Sequence, residues 1–181
     1  MRFCGECGQP VTLRVPAGDA LPRHVCDACG TVHYLNPKLV AGAVLEASDG
    51  RLLLCRRAIE PRRGLWTLPA GFMELGETGA EAARRETREE ACAEVADLTL
   101  HCIVDVPRVS QVHLMFRGRL VEDRHAPGAE SLATRLCPER ELPWDELAFP
   151  SVRATLERYL ADRARGAFGV HHVTLPPGLM P

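Results

Sequence analysis

Several things are missing from this chain. No run of 18 consecutive apolar residues exists, so no helix could cross a bilayer. The opening segment, Met1 to Pro10, has no apolar stretch, and no secretory signal is read there. Neither sign of charge dominates: 22 Lys and Arg face 24 Asp and Glu, for a net charge of −2. Without a basic field, or a cluster of basic and aromatic residues, nucleic acid is not an expected partner. There is no internal repeat and no low-complexity tract. What remains is a cytoplasmic protein acting on a small molecule, with a homodimer left open. The 181 residues suit one domain, or one domain plus a small module, and 46% hydrophobic content is enough for a packed core.

Cysteine is the exception to this plainness. Of eight, Cys55, Cys92, Cys102 and Cys137 are scattered and read as small apolar groups, mostly in the core. The other four form two tight pairs, Cys4-Gly-Glu-Cys7 and Cys26-Asp-Ala-Cys29. A secreted disulfide scaffold would be short and would carry a signal. Two C-x-x-C pairs at this separation, each followed by a turn glycine (Gly8, Gly30), have the spacing of a Cys4 zinc site. An oxidoreductase pair would need a βαβ pattern around it, and neither pair has one. His24 and His33 could replace a thiolate but read as surface residues, because four cysteines already close a tetrahedral site. Residues 1–35 are therefore expected to be a zinc ribbon, too small to fold without that staple. Residues 36–166 are expected to be a second domain, and 167–181 a tail with no clear element.

The second domain reads as α/β. Leu39 to Ala47 and Arg51 to Arg56 form a hairpin across Ser48-Asp49-Gly50. Leu65 to Leu68 is a short strand, and Gly71 to Gly79 a glycine-rich loop. Gly79 to Cys92, rich in Ala, Glu and Arg, is a helix. Leu98 to Val109 and Val112 to Val121 pair across Ser110-Gln111. A polar loop over 122–130 leads to a last strand, Ser131 to Cys137. Pro150 to Arg165 is an amphipathic helix closed by Gly166.

The sharpest chemical signal lies on the first helix. Glu86, Glu89 and Glu90 are three or four residues apart and converge on one patch. Arg85, four before Glu89, can hold its carboxylate. Ala80, Ala83, Thr87 and Ala91 form a small-residue stripe that lets the helix pack closely on a sheet. Clustered carboxylates repel, and a hard divalent cation with oxygen ligands, Mg2+ or Mn2+, would relieve that cost. Such an ion bridges a pyrophosphate and activates water. Arg56, Arg57, Arg62 and Arg63, before this region, could grip substrate phosphates. Trp66 reads as core, and His113 as structural within its strand.

The segment resembles the Nudix box, Gly-x5-Glu-x7-Arg-Glu-U-x-Glu-Glu-x-Gly-U, with U apolar. It matches at Gly71, Glu77, Arg85, Glu86, Glu89 and Glu90. It departs at Thr87, at Ala93 and at Cys92, which stands where glycine would end the helix in a left-handed residue. With the Cys4 ribbon, Tyr34-Leu-Asn-Pro-Lys38 and Leu65 to Met73, the chain resembles zinc-ribbon Nudix hydrolases. The resemblance implies an α/β/α sandwich around a mixed sheet. It implies metal ligation by Glu86, Glu89, Glu90 and the Gly71 carbonyl, with Glu130 as a further ligand from a later loop. It also implies hydrolysis of a nucleoside diphosphate linked to another group, with Glu89 as the general base. Between substrates, the Ser-Gln-Pro-Trp-Pro-Phe-Pro stretch of NADH diphosphatases is absent from Asp105 to Met115. The chain resembles instead the bacterial and plastid branch that includes ADP-ribose and FAD diphosphatases, which places FAD and ADP-ribose ahead of NADH. The reading from a different class is a module that senses a nucleotide without cleaving it; intact box carboxylates argue against it.

Overall fold

The computed structural model describes residues 1–177. It divides into two compact units, Met1–Pro37 and the chain from Lys38 onward.

The first unit is a three-stranded antiparallel sheet: β1 (Val11–Arg14), β2 (Arg23–Cys26) and β3 (Val32–His33). Its interior is very small, since only Cys4, Val25 and Cys26 are buried. No apolar core of that size offsets the conformational entropy of ordering such a segment. Each C-x-x-C pair sits in a tight turn closed by a glycine with positive φ, +73° at Gly8 and +77° at Gly30. The Gly8 and Gly30 N–H groups bond back to the Cys4 and Cys26 carbonyls, which aims the sulfurs of both turns at one point.

The second unit is built on a mixed sheet in the order β10-β5-β4-β9-β8-β11. These strands are β4 (Lys38–Glu46), β5 (Leu52–Arg57), β8 (Val95–Val106), β9 (Gln111–Leu120), β10 (Ser131–Cys137) and β11 (His171–Thr174). Two short strands attach to it: β6 (Trp66–Thr67) on β5 and β7 (Ala70–Phe72) on β4. Pairing is parallel for β4 with β9 and for β8 with β11, and antiparallel elsewhere. Helix α1 (Gly79–Ala91) covers one face and α2 (Pro150–Arg165) the other. Strand alternation divides the core between them. Ala41, Ala43, Leu45, Leu53 and Cys55 join the α1 layer, while Val44, Leu52 and Leu54 join the α2 layer. That is why the sequence of β4 and β5 is almost continuously apolar: both faces are covered. The architecture is the expected α/β/α sandwich.

Helix α1 begins at Thr78, where a capping box satisfies two backbone N–H groups. The Thr78 hydroxyl accepts from Glu81 N–H at 3.3 Å, and the Glu81 carboxylate accepts from Thr78 N–H at 2.8 Å. The helix ends at Cys92 in the left-handed conformation (φ 49°, ψ 36°), its N–H bonded to the Arg88 carbonyl. The cysteine therefore takes the geometry that glycine would take in the box, at a conformational cost of about 1–2 kcal/mol. Thr87, the other polar departure, is wholly buried and returns its hydroxyl to the Ala83 carbonyl at 2.8 Å.

Three expectations need correction. Gly71 lies not in a loop but in β7, paired with Ala41. The strand placed at Leu98 to Val109 runs from Val95 to Val106, because Pro107 opens a 3-10 turn over Pro107–Val109. The tail is not featureless: β11 adds His171 to Thr174 alongside β8, and Leu175 is buried. Its residues, His-His-Val-Thr, show no apolar run, since only one side of the strand meets the core. Residues 178–181 of the tail lie outside the described residues.

Candidate active site

Three carboxylates of the box face one cavity of about 810 Å³ in the second unit; Glu77 does not line it. Glu86, Glu89 and Glu90 line it from α1, and Glu130 from the loop before β10. Strand β7 delivers Gly71 directly under Glu86. A Cβ on Gly71 would lie 2.3 Å from the Glu86 carboxylate, so only glycine leaves room for that side chain. Gly128 does the same for the Glu130 loop. A Cβ there would stand 1.7 Å from the Glu89 carbonyl, and the Gly128 N–H instead reaches the Glu90 carbonyl at 3.0 Å. The close approach pins the loop to the end of α1 and holds Glu130 over the same cavity.

Arg85 organises the cluster. Its guanidinium donates to Glu77 (2.7 and 3.1 Å), Glu86 (2.6 Å), Glu89 (3.1 Å) and the Phe72 carbonyl (3.0 Å). Glu77 is thereby held below the usual carboxylate range and is tied also to Glu74 N–H at 2.6 Å. The deeper carboxylates behave differently. Burial raises Glu86, against the pull of Arg85, and the negative charges of Glu89 and Glu130 add to it. Burial likewise pushes Glu90 up to about 7, opposed by Ala70 N–H at 3.1 Å and by Arg57, and reinforced by Glu86 and Glu130. Four carboxylates converging here, two of them raised, form an arrangement that a further cation would relieve. The donor set is all oxygen and opens to solvent through exposed Glu89 and Glu130. It fits a hard divalent cation that keeps some of its water.

The basic residues separate. Arg57 reaches the cavity, with its guanidinium 5.0 Å from the Phe149 ring centroid and its Nε on the Pro61 carbonyl at 2.8 Å. Arg56, one residue away on the opposite face of β5, is exposed and bonds the Gly64 carbonyl at 2.8 Å. Arg62 lines a different depression beside Trp144, and Arg63 lines neither. Sequence reasoning missed most of the remaining wall: Val106, Val109 and Met115 on one side, Ile59 and Phe149 on another. These positions carry no motif; only the fold assembles them. His113 faces this cavity too, its Nε2 3.0 Å from Gln111 Oε1, and burial pushes its imidazole down to about 4. Trp66 packs against the α2 side of the core, with Arg135 above its ring at 5.8 Å.

In the first unit, the four sulfurs all lie within 4.8 Å of one another. Cys4 Sγ and Cys29 Sγ are 3.7 Å apart, and Cys7 Sγ and Cys26 Sγ 3.5 Å. A tetrahedral zinc with bonds of about 2.3 Å would separate its sulfurs by about 3.8 Å, so the cluster already has the size of the site. The Cys7 N–H, foremost among several donors, holds the Cys4 thiol down at about 6. Gln9 N–H favours the Cys7 thiolate, but the Cys26 and Cys29 sulfurs and burial outweigh it and push Cys7 up to about 12. Crowded sulfurs cannot all ionise without a cation among them. His33, expected at the surface, is half-buried with Nε2 3.2 Å from Cys4 Sγ, a contact of the second layer.

Comparison with known proteins fits both units. A family described as "NUDIX domain" matches residues 36–159, and one described as "Nudix N-terminal", a zinc ribbon, matches residues 2–35. The chain belongs to the Nudix family. A solved NUDIX hydrolase from Nitrosomonas europaea is 46% identical, with a TM-score of 0.89 over 97% of this chain and 100% of that one. The NAD-capped RNA hydrolase NudC of Chromobacterium violaceum is 38% identical over 97 residues, 54% of this chain and 34% of that protein. The human mitochondrial NAD(P)H pyrophosphatase NUDT13 is 37% identical over 98 residues, 54% of this chain and 26% of that protein. The chain thus spans about a third or less of the length of these two relatives. In the Nudix unit, no described helix is long and apolar enough to cross a membrane.

Proposed function

We propose that this Nudix chain hydrolyses the diphosphate of a nucleoside diphosphate linked to another group, and that NADH is the first substrate to test. One observation carries the reading: Glu86, Glu89, Glu90 and Glu130 converge with Arg57 on a single large cavity. In this reading Glu86, Glu89 and Glu90, with the Gly71 carbonyl and Glu130, hold Mg2+ or Mn2+. The ions would neutralise phosphate charge and lower the pKa of the attacking water. The remaining steps belong to the protein's own groups. Arg57 meets a phosphate at the cavity mouth. The apolar wall from Val106 to Met115 takes a base or nicotinamide ring. Arg85 keeps Glu77, Glu86 and Glu89 in register, so the carboxylates need not reorganise as charge develops. Glu89, exposed at the water-facing side of the cluster, is proposed as the general base. The ribbon is proposed to hold a structural Zn2+ on Cys4, Cys7, Cys26 and Cys29.

The test is a parallel turnover screen with Mg2+ of NADH, ADP-ribose, FAD and an NAD-capped RNA, the last because the relative from Chromobacterium violaceum is an NAD-capped RNA hydrolase. The expected result is release of AMP from NADH, ADP-ribose and FAD, and of nicotinamide mononucleotide and 5'-monophosphate RNA from the capped RNA, fastest from a substrate with a nicotinamide dinucleotide. A second reading keeps FAD or ADP-ribose first, on the absent NADH-type stretch; their faster cleavage would select it. No turnover of any, with tight nucleotide binding, would leave the sensing module.

A further inference from the structure

Away from the carboxylate cavity, the Nudix unit buries a histidine that nothing satisfies. His101 stands on β8, at the place where β11 joins the sheet by pairing His171 with Cys102. The residue has no exposed surface, and neither ring nitrogen has a hydrogen-bond partner. A dry, unpartnered imidazole is costly, and native interiors seldom keep one without a reason. Its ring is boxed in by Tyr159 (5.8 Å between centroids), Phe168 (6.1 Å) and His171 (5.2 Å).

What His101 faces is a carboxylate. Asp162, on the last turn of α2, is also wholly buried, and its Oδ2 lies 3.9 Å from His101 Nδ1. The same oxygen is 2.7 Å from His171 Nε2. One ligand atom from each of the three residues lies within 4.8 Å of the other two. Gly169 N–H, at 3.1 Å, and Arg165 fix the Asp162 carboxylate from the other sides.

Two imidazoles and one carboxylate oxygen are a zinc donor set. A tetrahedral ion with bonds of about 2.0–2.1 Å separates its ligand atoms by about 3.3 Å. The observed 2.7 and 3.9 Å straddle that value, and the two imidazole nitrogens lie within 4.8 Å of each other, so modest side-chain rotations would close the site. The part-exposed His171 leaves a side for a water as fourth ligand. We propose that His101, Asp162 and His171 form a second zinc site, which rivets the C-terminal strand β11 to β8 and α2. The rivet has a functional address, because Leu175 and Pro176, directly after β11, line the carboxylate cavity.

The full-length chain is saturated with Zn2+, dialysed against excess Mg2+ so that the open carboxylate cavity holds magnesium, passed through a desalting column and assayed for zinc per folded chain. Wild type should carry two zinc ions, one of them on the ribbon cysteines. His171→Ala, at a half-buried edge position, and His101→Leu, which fills the imidazole space with an apolar group, should each carry one. Both should also lose the rise in melting temperature that added Zn2+ gives the second unit. One zinc in wild type overturns the proposal without recourse to any variant. Two zincs in wild type and in either folded variant overturn it as well, by placing the second ion elsewhere. The outcome is independent of catalysis, so the failure of the proposed activity would leave it standing.

Discussion

The sulfur cluster and the carboxylate cluster are opposite solutions to one problem, the convergence of like groups on a point. In the ribbon, three buried residues are all the interior there is, and two of them are the ligand-type side chains themselves. The cluster has to make the fold. In the second unit, two helices and a mixed sheet enclose a complete core, and the carboxylates are held in place by it. Glu86 rests over Gly71, Glu90 accepts from Ala70, and Arg85 ties Glu77, Glu86 and Glu89. Here the fold makes the cluster, at some cost to itself, since burial raises both Glu86 and Glu90. Loss of metal should therefore unfold the first unit and relax the second.

The largest effect should follow from breaking the sulfur cluster. Structural zinc in small ribbons contributes on the order of 10 kcal/mol, more than the Met1–Pro37 unit can replace. Cys26→Ser is expected to abolish amide-exchange protection across β1 to β3 while leaving β4, β5 and α1 as protected as in wild type. Persistent protection in the ribbon of a zinc-free variant would erase the contrast.

Next comes Glu89→Gln, which keeps the side chain's size and removes a charge. Glu89 is the exposed partner of its ion pair with Arg85, which keeps Glu77 and Glu86, so the melting temperature should hardly move. Mg2+-dependent turnover should fall on the order of a hundredfold or more, because charge stabilisation and water activation go together. Wild-type turnover in this variant would reduce the carboxylates to a solvated helix face. A stability loss of about 1–3 kcal/mol is expected from Gly128→Ala, whose Cβ would collide with the Glu89 carbonyl. The loop must retreat and carry Glu130 with it, so thermal stability and turnover should fall together, unlike in Glu89→Gln.

How far each cluster could be read from sequence follows from the same contrast. Cys4, Cys7, Cys26 and Cys29 are legible because their local turns set the geometry. Glu86, Glu89 and Glu90 are legible because helical spacing alone brings them together. The sandwich was implied by the resemblance to zinc-ribbon Nudix hydrolases, whereas the apolar runs of β4 and β5 alone pointed only to a hairpin. Strand β11 was not legible, since His171 to Thr174 owe their strand form to the free edge of β8 and not to their own pattern. The cavity wall was not legible either. Arg56 and Arg57 are adjacent in sequence, and only the direction of β5's pleat sends Arg57 to the cavity and Arg56 away from it. His113 read as structural for the same reason: its strand was visible, but not what the strand faced.

The finest test of a cluster held by its fold is a single buried proton. Glu90 is pushed up to about 7, first by burial and then by Glu86 and Glu130, against an ordinary value of 4.5. Between these values the folded, magnesium-free chain keeps a proton that the unfolded chain has released. Native protein then binds more protons than unfolded protein, so stability falls as pH rises through this window. Below about 4.5 both states are protonated and the penalty vanishes; above about 7 it is fully present. Glu90→Gln cannot titrate, and its amide oxygen can still accept from Ala70 N–H. In magnesium-free buffer the two proteins should melt alike near pH 5 and diverge toward pH 8, with Glu90→Gln the more stable by about 2 kcal/mol. Added Mg2+ should narrow that gap, because only the wild-type carboxylate gains from a cation beside it. A gap that stays constant from pH 5 to 8 would mean that Glu90 is ionised throughout, and that the fold does not hold this carboxylate against its own preference.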